Sequence, residues 1–403
     1  MDAPPPPGPP DTSTGFLGRF THLTRLGSGT YGSVFSGFLT REAAGQIKRE
    51  LDMDIQAGHY AIKRIGCKSS SLGGGGVVRP LSPDTYLEIS TLAMAWHPNI
   101  VKLFGTHIDQ DNTAFLILGT TDTLELGDVT LDSYYHSYIH HNRQQMPIRQ
   151  VAEILYQVLL GVTHLHSGGC GGKEVMHCDL KPSNILLKLD QHGRSHDVHY
   201  VRICDFGMVQ PTPCDPSKKP RKPKYVGTPM YCSPELLLYQ KDHFWAVDIW
   251  AVGCIFGELL TGRRLFGGKG NSNDGTLSEV CRVMGKPSPS TWAGVDTLPN
   301  YEVVQTLQFG EAPERALVDV LREAVPPRQD MDDMTEAMAV DLLSKMLCLN
   351  PYERIFGAEA LRHPFFKHVL KNSLLCYEHF IRTSRRELHE ELHEACSAGI
   401  HLR

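Results

Sequence analysis

HCDLKPSN at 177–184, with DFG following at 205–207, decides how this chain is read. Asp179 is a carboxylate that can accept or orient the proton of a substrate hydroxyl. Asn184 offers a neutral oxygen to a metal, and Asp205 offers a charged one. Lys181 can neutralise charge on a phosphate in transfer. Positioning, a divalent metal and charge neutralisation are the parts that phosphoryl transfer needs.

Upstream, GSGTYGSV spells G-x-G-x-x-G with Gly27, Ser28, Gly29, Thr30, Tyr31, Gly32, Ser33 and Val34. Glycines let the backbone approach a phosphate and point N–H groups at it. Such loops also occur in plain hairpins. A dinucleotide-binding loop would open a helix, whereas the SVFSGFL that follows here is strand-like. YAIK at 60–63 puts Lys63 on a third strand, either as an exposed lysine or as a cation for nucleotide phosphates. Glu88 lies on a helix opened by Ser82-Pro83-Asp84. It is the candidate partner for Lys63; its bland reading is a solvated helix acid.

The text changes character along the chain. Residues 1–19 are expected to be a disordered proline-rich tail. From residue 20 to about 129 short β-branched and aromatic runs predict strands (HLTRLG, SVFSGFL, YAIKRI, IVKLFGTHI) and one helix. Residues 40–58 and 67–82 are expected to be soft insertions, the second a flexible SSSLGGGG loop. From about 130 to 367 helical periodicity takes over, with buried helices expected at 151–166, 240–265 and 335–349. Residues 368–403 are expected to be a charged helical extension. A β-rich part before a larger α-rich part predicts an α+β, two-lobed fold with ligands favouring the cleft between lobes.

G-x-G-x-x-G-x-V, A-I-K, H-x-D-x-K-x-x-N, D-F-G and S-P-E occur in the order found in eukaryotic protein kinases. The chain resembles that family from about residue 20 to 367, and Lys181-Pro182-Ser183 resembles the serine/threonine form. The resemblance implies a bilobal kinase fold that moves the ATP γ-phosphate to Ser or Thr hydroxyls of a protein, with Mg²⁺. It implies that Leu26, the 27–34 loop, Ala61 and Lys63 bind the nucleotide. Asn184 and Asp205 would hold the metal, and Asp179, Lys181, Lys63, Glu88 and Thr228 would be catalytic. It further implies that Glu235 pairs with Arg354 and that Asp248 braces the catalytic loop.

Within the family, SPDTYLEI at 82–89 and the run from Ala246 to Gly268 resemble the cyclin-dependent kinases of the CMGC group. The insertions resemble the transcription-linked, Mediator-type members. A cyclin-like activating subunit is the implied partner. The rival readings are a pseudokinase scaffold and a small-molecule phosphotransferase. Retention of Lys63, Glu88, Asp179, Asn184 and Asp205 speaks against the first. The Thr228–Glu235 segment and the later insert, which suit an extended peptide, speak against the second.

Four departures stand out. Cys178 replaces the arginine usual before the catalytic aspartate, and Cys232 the arginine usual before A-P-E. Gly227 stands where proline-directed kinases carry a bulkier residue, so strict Ser/Thr-Pro selection is not expected. Pro223 occupies the position where related kinases carry their phosphorylated threonine. With Cys178 the grip for that phosphate is missing as well. Activation is therefore expected from a partner near the 82–96 helix. FLIL at 115–118 and LELGDV at 124–129 both remain open as the strand into the hinge.

The rest of the composition is ordinary. The 403 residues carry 40 basic and 45 acidic side chains, 41% hydrophobic and 21% charged. No global basic field points to nucleic acid. The 11 cysteines contain no CxxC, so neither a disulfide framework nor a zinc ribbon is expected. MDAPPPPGPP lacks the marks of a signal peptide. AVDIWAVGCIFGELL at 246–260 carries Asp248 and Glu258, so it reads as a buried core helix and no membrane span is expected. KKPRKPK at 218–224 reads as a nuclear-import patch, an acid-docking surface or a solvated loop. Nucleus or cytoplasm is the expected location. His136 and His140 share helical spacing, which suits a solvated face as well as a metal. Cys204 reads as a small buried residue before DFG.

Overall fold

A computed structural model describes residues 15–29, 32–66, 80–119, 129–142, 145–189, 198–212, 227–241, 243–267, 272–308 and 330–370. They fall into two compact units, Met1–Met94 with Val101–Asp128, and Ala95–Ile100 with Val129–Arg403. The expectations for Thr30, Tyr31, the 67–79 loop, the 218–224 run, Pro223 and the helix at 372–395 lie outside the described residues.

The first unit is a five-stranded antiparallel sheet in the order β1-β2-β3-β5-β4. Its strands are β1 (Thr21–Gly29), β2 (Gly32–Leu39), β3 (Gly58–Ile65), β4 (Lys102–Ile108) and β5 (Ala114–Gly119). FLIL therefore belongs to the sheet, paired with β3 through Ala61↔Leu118 and Lys63↔Leu116. Between β2 and β3 the structure corrects the expected soft insertion at 40–58, because Arg41–Leu51 is a helix, α1. The Thr40 side chain caps it, accepting from the Ala43 N–H at 3.2 Å. Ala44 and Ile47 form its narrow buried stripe. They join a core with Phe16, Leu17, Phe20, Phe35, Met53 and Ile62.

The disordered-tail expectation is also corrected at its end. Phe16–Arg19 forms a 3₁₀ turn in which Phe16 and Leu17 are buried. Phe16 stacks on His107 with ring centroids 4.4 Å apart. Phe16 and Leu17 both belong to the core of the sheet unit. Helix α2 (Pro83–Met94) follows the capping Ser82, whose hydroxyl accepts from the Thr85 N–H at 3.1 Å.

The second unit is mostly helical, with five short strands among the described residues. Helices α3 (Leu131–Asn142) and α4 (Ile148–His166) precede the strand pair β7 (Val175–Met176) and β10 (Gln210–Pro211). Strands β6 (Val129–Thr130), β8 (Ile185–Leu189) and β9 (Val198–Ile203) form a sheet in the order β6-β8-β9. After α5 (Pro234–Leu237) comes α6 (Ala246–Thr261), buried at every position. A helix apolar all round belongs in a core. Gly262, at φ 76°, ends it by donating to the Glu258 carbonyl at 2.9 Å. Helices α7 (Asn273–Met284), α8 (Tyr301–Thr306), α9 (Asp333–Met346), α10 (Gly357–Ala360) and α11 (Pro364–Leu370) complete the unit.

One stretch groups elsewhere than expected. Ala95–Ile100 belongs with the helical unit, because the Asn99 amide donates to Gln157 Oε1 at 3.1 Å and the Val201 carbonyl at 2.8 Å. Helix α11 carries the buried Phe365, Phe366 and Leu370. Among the described residues no helix is long and apolar enough to cross a membrane.

Candidate active site

In the sheet unit, Lys63 Nζ donates to Glu88 Oε1 at 2.6 Å, with the side chains only 6% and 3% exposed. Taking two ions out of water costs several kcal/mol each, so such a pair is a poor source of stability. Its persistence points to a job for the cation. Beside it, the hairpin of β1 and β2 pairs Gly27↔Val34, Ser28↔Ser33 and Gly29↔Gly32. Val34 in turn pairs with Lys63, so the glycine hairpin and the lysine share a register. Gly32 has φ 144°, and a Cβ there would collide with the Arg64 carbonyl; no other residue fits. Ala61 is partly buried and Leu26 is 62% exposed.

In the helical unit, the segment after β7 brings three expected residues together. Lys181 Nζ donates to Asp179 Oδ2 at 2.8 Å and to Thr228 Oγ1 at 2.9 Å. Thr228 Oγ1 donates to Asp179 Oδ1 at 3.0 Å. The triangle is closed, and Asp179 and Lys181 stay 11% and 24% exposed. A fixed cation therefore lies against a carboxylate that a substrate hydroxyl can still reach. Asn184 Nδ2 donates to the Asp179 carbonyl at 2.7 Å and to Oδ2 at 3.2 Å, which fixes which end of its amide is oxygen.

Asn184 and Asp205 flank one end of the β8–β9 hairpin. Ile185 pairs with Ile203, and the Cys204 N–H donates to the Asn184 carbonyl at 2.9 Å. Asp205 adopts φ 63°, a left-handed turn that swings the chain out of the strand. Phe206 is buried, its ring edge on to His177 at 5.0 Å. An amide oxygen and a carboxylate are hard oxygen donors of the kind a magnesium ion takes.

Asp248 on α6 holds the catalytic segment from beneath. Its carboxylate accepts from the His177 N–H at 2.8 Å, the Cys178 N–H at 2.9 Å and His166 Nε2 at 2.8 Å. Burial pushes its pKa up, but the His166 hydrogen bond, the fields of His166 and His177 and the Cys178 N–H outweigh it. The net direction is below the ordinary carboxylate value. His177 accepts from the Asp179 N–H through Nδ1 at 3.2 Å, so Nε2 donates to the Cys204 carbonyl at 3.0 Å. Glu235 and Arg354 form a bidentate pair at 2.7 and 3.0 Å, with side chains 1% and 0% exposed.

Sequence reading attached no role to His166 or His177, nor to the pair of Tyr231 and Glu258 at 2.6 Å. The available signal was an acid inside an apolar helix. Cys178 packs with Met176 and Val247, and burial pushes the Cys232 thiol up to about 12. His136 lies 3.7 Å from Asp132. Among the described residues no cluster of three His, Cys, Asp or Glu could hold a metal.

A buried cation beneath a glycine hairpin, and an acid sharing its lysine and threonine next to oxygen donors, answer the needs of phosphoryl transfer. The class defined is an ATP-dependent phosphotransferase. Residues 20–366 match the family described as "Protein kinase domain". The chain is 31% identical to the "Probable cyclin-dependent kinase 8" of Dictyostelium discoideum, over 87% of this chain and 81% of that protein. It is 29% identical to the "Serine/threonine-protein kinase ssn3" of Aspergillus niger, over 94% and 85% of the two chains. It is 32% identical to the "Cyclin-dependent kinase E-1" of Arabidopsis thaliana, over 87% and 67%.

The chain belongs to the protein kinase family, as a cyclin-dependent-like serine/threonine kinase of the CMGC group. It moves a phosphoryl group from ATP to protein hydroxyls, using ATP with a divalent metal.

Proposed function

We propose that Asp179 orients the substrate hydroxyl and takes up its proton, while Lys181 offsets charge on the phosphoryl group in flight. The closed triangle of Asp179, Lys181 and Thr228 carries this reading. An acid alone could be structural. An acid whose two oxygens are set by a lysine and by the threonine of a peptide-facing segment is aimed. Lys63, held by Glu88, binds the nucleotide phosphates under the Gly27–Val34 hairpin, with Leu26 and Ala61 against the base. Asn184 and Asp205 would hold Mg²⁺, which would neutralise charge on the nucleotide phosphates.

The names of the relatives support a cyclin-like activating subunit acting on the helix of Glu88, to hold it where it meets Lys63. They are also consistent with a role in transcription or cell-cycle control and with a nuclear location. The test is radiolabel transfer to a generic protein substrate by Asp179→Asn. Loss of transfer with circular dichroism and Tm unchanged is expected. A folded Asp179→Asn that works at the wild-type rate would refute the assignment.

A further inference from the structure

Four aromatic rings form a row on the helical unit, none of them among the residues placed in the active site. Phe244 and Trp245 lie between α5 and α6, and Tyr352 and Phe356 between α9 and α10. Ring centroids are 5.2 Å apart from Tyr352 to Phe244, 5.4 Å from Phe244 to Trp245 and 4.9 Å from Trp245 to Phe356. Tyr352 is 67% exposed, and the other three are half-buried. A single exposed apolar side chain needs no explanation, but a contiguous set marks an interaction site. Aromatic side chains are also the ones that dominate interfaces. Rings set side by side suit a proline-rich segment, because polyproline II is preformed and loses little entropy on docking. One turn of that helix rises about 9 Å, the order of two ring-to-ring steps. Its carbonyls have no partner within the helix. Gln240 Nε2 donates to the Tyr352 hydroxyl at 3.5 Å, so the phenol can donate in turn to such a carbonyl. Lys241 and Glu353, exposed beside the row in sequence, are opposite in charge, so they call for neither a strongly acidic nor a strongly basic partner.

We infer that this row docks the proline-rich N-terminal segment of a second copy of the chain. Six of the first ten residues are proline, four of them in a row at 4–7, and no residue of the active site comes from that stretch. The segment 1–14 joins the sheet unit at the turn Phe16–Arg19, where Phe16 and Leu17 are buried. Fully extended, fourteen residues span at most about 50 Å, enough to reach a neighbouring molecule. Every copy carries both the proline segment and the rings. Two copies that exchange their segments make the contact twice, and the assembly closes as a dimer. One such contact is small, on the scale of a transient encounter; the second then forms at a high effective concentration. The rings include no member of the Asp179 triangle or the Lys63 pair, so the inference stands apart from the catalytic assignments.

Three full-length chains test this: the wild type, Tyr352→Ala, and a tail variant carrying Pro4→Ala, Pro5→Ala, Pro6→Ala and Pro7→Ala. Tyr352 is no member of the buried core, and the tail variant leaves the rings untouched. In sedimentation velocity the wild type is expected to dimerise as its concentration rises, and either variant to stay monomeric over the same range. An equimolar mixture of the two variants regains one contact, with the segment from Tyr352→Ala and the rings from the tail variant. It is expected to associate more than either variant alone. A synthetic peptide of residues 1–14, titrated onto the tail variant, is expected to bind saturably. Adding Tyr352→Ala to that variant is expected to weaken the peptide about 10-fold, as truncating an aromatic anchor does. A wild type that stays monomeric at its highest soluble concentration, a dimer that survives Tyr352→Ala or the tail variant, or peptide binding indifferent to Tyr352 would overturn the inference.

Discussion

Asp248→Asn tests how the catalytic segment is held. The carboxylate is about 1% exposed and accepts three N–H groups: Oδ1 takes Cys178, and Oδ2 takes His177 and His166. An amide has one acceptor oxygen. Placed at the Oδ2 site, it keeps two bonds and turns its NH₂ against the Cys178 N–H. The lost charge-assisted bond is worth about 1.5–3 kcal/mol. Weakening the other two brings the total to about 3–5 kcal/mol, as for breaking a buried ion pair. Cys178 sits at φ 64°, which costs a non-glycine residue about 1–2 kcal/mol. Without its acceptor that residue relaxes, and Asp179 moves with it. Expected are a loss of about 3–5 kcal/mol in urea unfolding and a fall in kcat of about 100-fold, with KM for ATP unchanged. The folded Asp248 pKa lies below its ordinary value. Its contribution to stability is therefore present above the unfolded value and lost as pH falls through the folded one. The acid limb of the stability curve is shallower in the variant. A variant within about 1 kcal/mol of wild type, a typical single neutral hydrogen bond, with full kcat, would refute the reasoning.

Lys63→Met removes the cation that the buried Glu88 carboxylate accepts from, so it abolishes transfer and costs about 3–5 kcal/mol; Lys63→Met with Glu88→Leu recovers the stability and stays inactive, as melting and radiolabel transfer will show. Gly227 has φ 90°, and a Cβ there would meet the Cys178 carbonyl at 2.8 Å, so Gly227→Val costs about 1–3 kcal/mol of backbone strain, read from the unfolding midpoint. In a peptide-library screen the wild type selects proline after the phosphorylated residue weakly or not at all, and strong selection would show that Gly227 and Cys232 do not relax the site. Phosphatase-treated chain is activated by a co-purifying partner; full activity alone, or activity restored only by phosphorylation within 205–228, contradicts that.

The elements that sequence reading reached are those with strong local patterns. The 148–166 helix repeats its apolar residues at helical spacing, and α6 is apolar on every face. Helix α1 was missed because only Ala44 and Ile47 are buried among eleven mostly polar residues. Its one local signal was Thr40 before Glu42, a start signature without a following apolar run. Candidate site residues stood out where chemistry restricts the residue type, as at Asp179, Asn184 and Lys63. The supports were not. His166 meets Asp248 across 82 positions, and Tyr135 meets Glu258 across 123. Nothing local in a chain announces a hydrogen bond of that reach.

Cys178 and Gly227 show why losing the arginines usual at positions 178 and 232 need not end catalysis. Both residues are in the left-handed region, at φ 64° and 90°. At Cys178 the backbone is held by Asp248 through main-chain N–H groups, and the side chain packs with Met176 and Val247. Those main-chain bonds do not depend on which side chain stands at 178. At Gly227 the conformation carries little strain, because glycine reaches positive φ freely, and no bracing side chain is required. Cys232 offers instead a weak Sγ–H bond to the Thr228 carbonyl at 3.4 Å, inside the same turn. The bonds that set the backbone leading into Asp179 thus come from the main chain and from Asp248 of α6, not from the side chains that stand where the two arginines are usual.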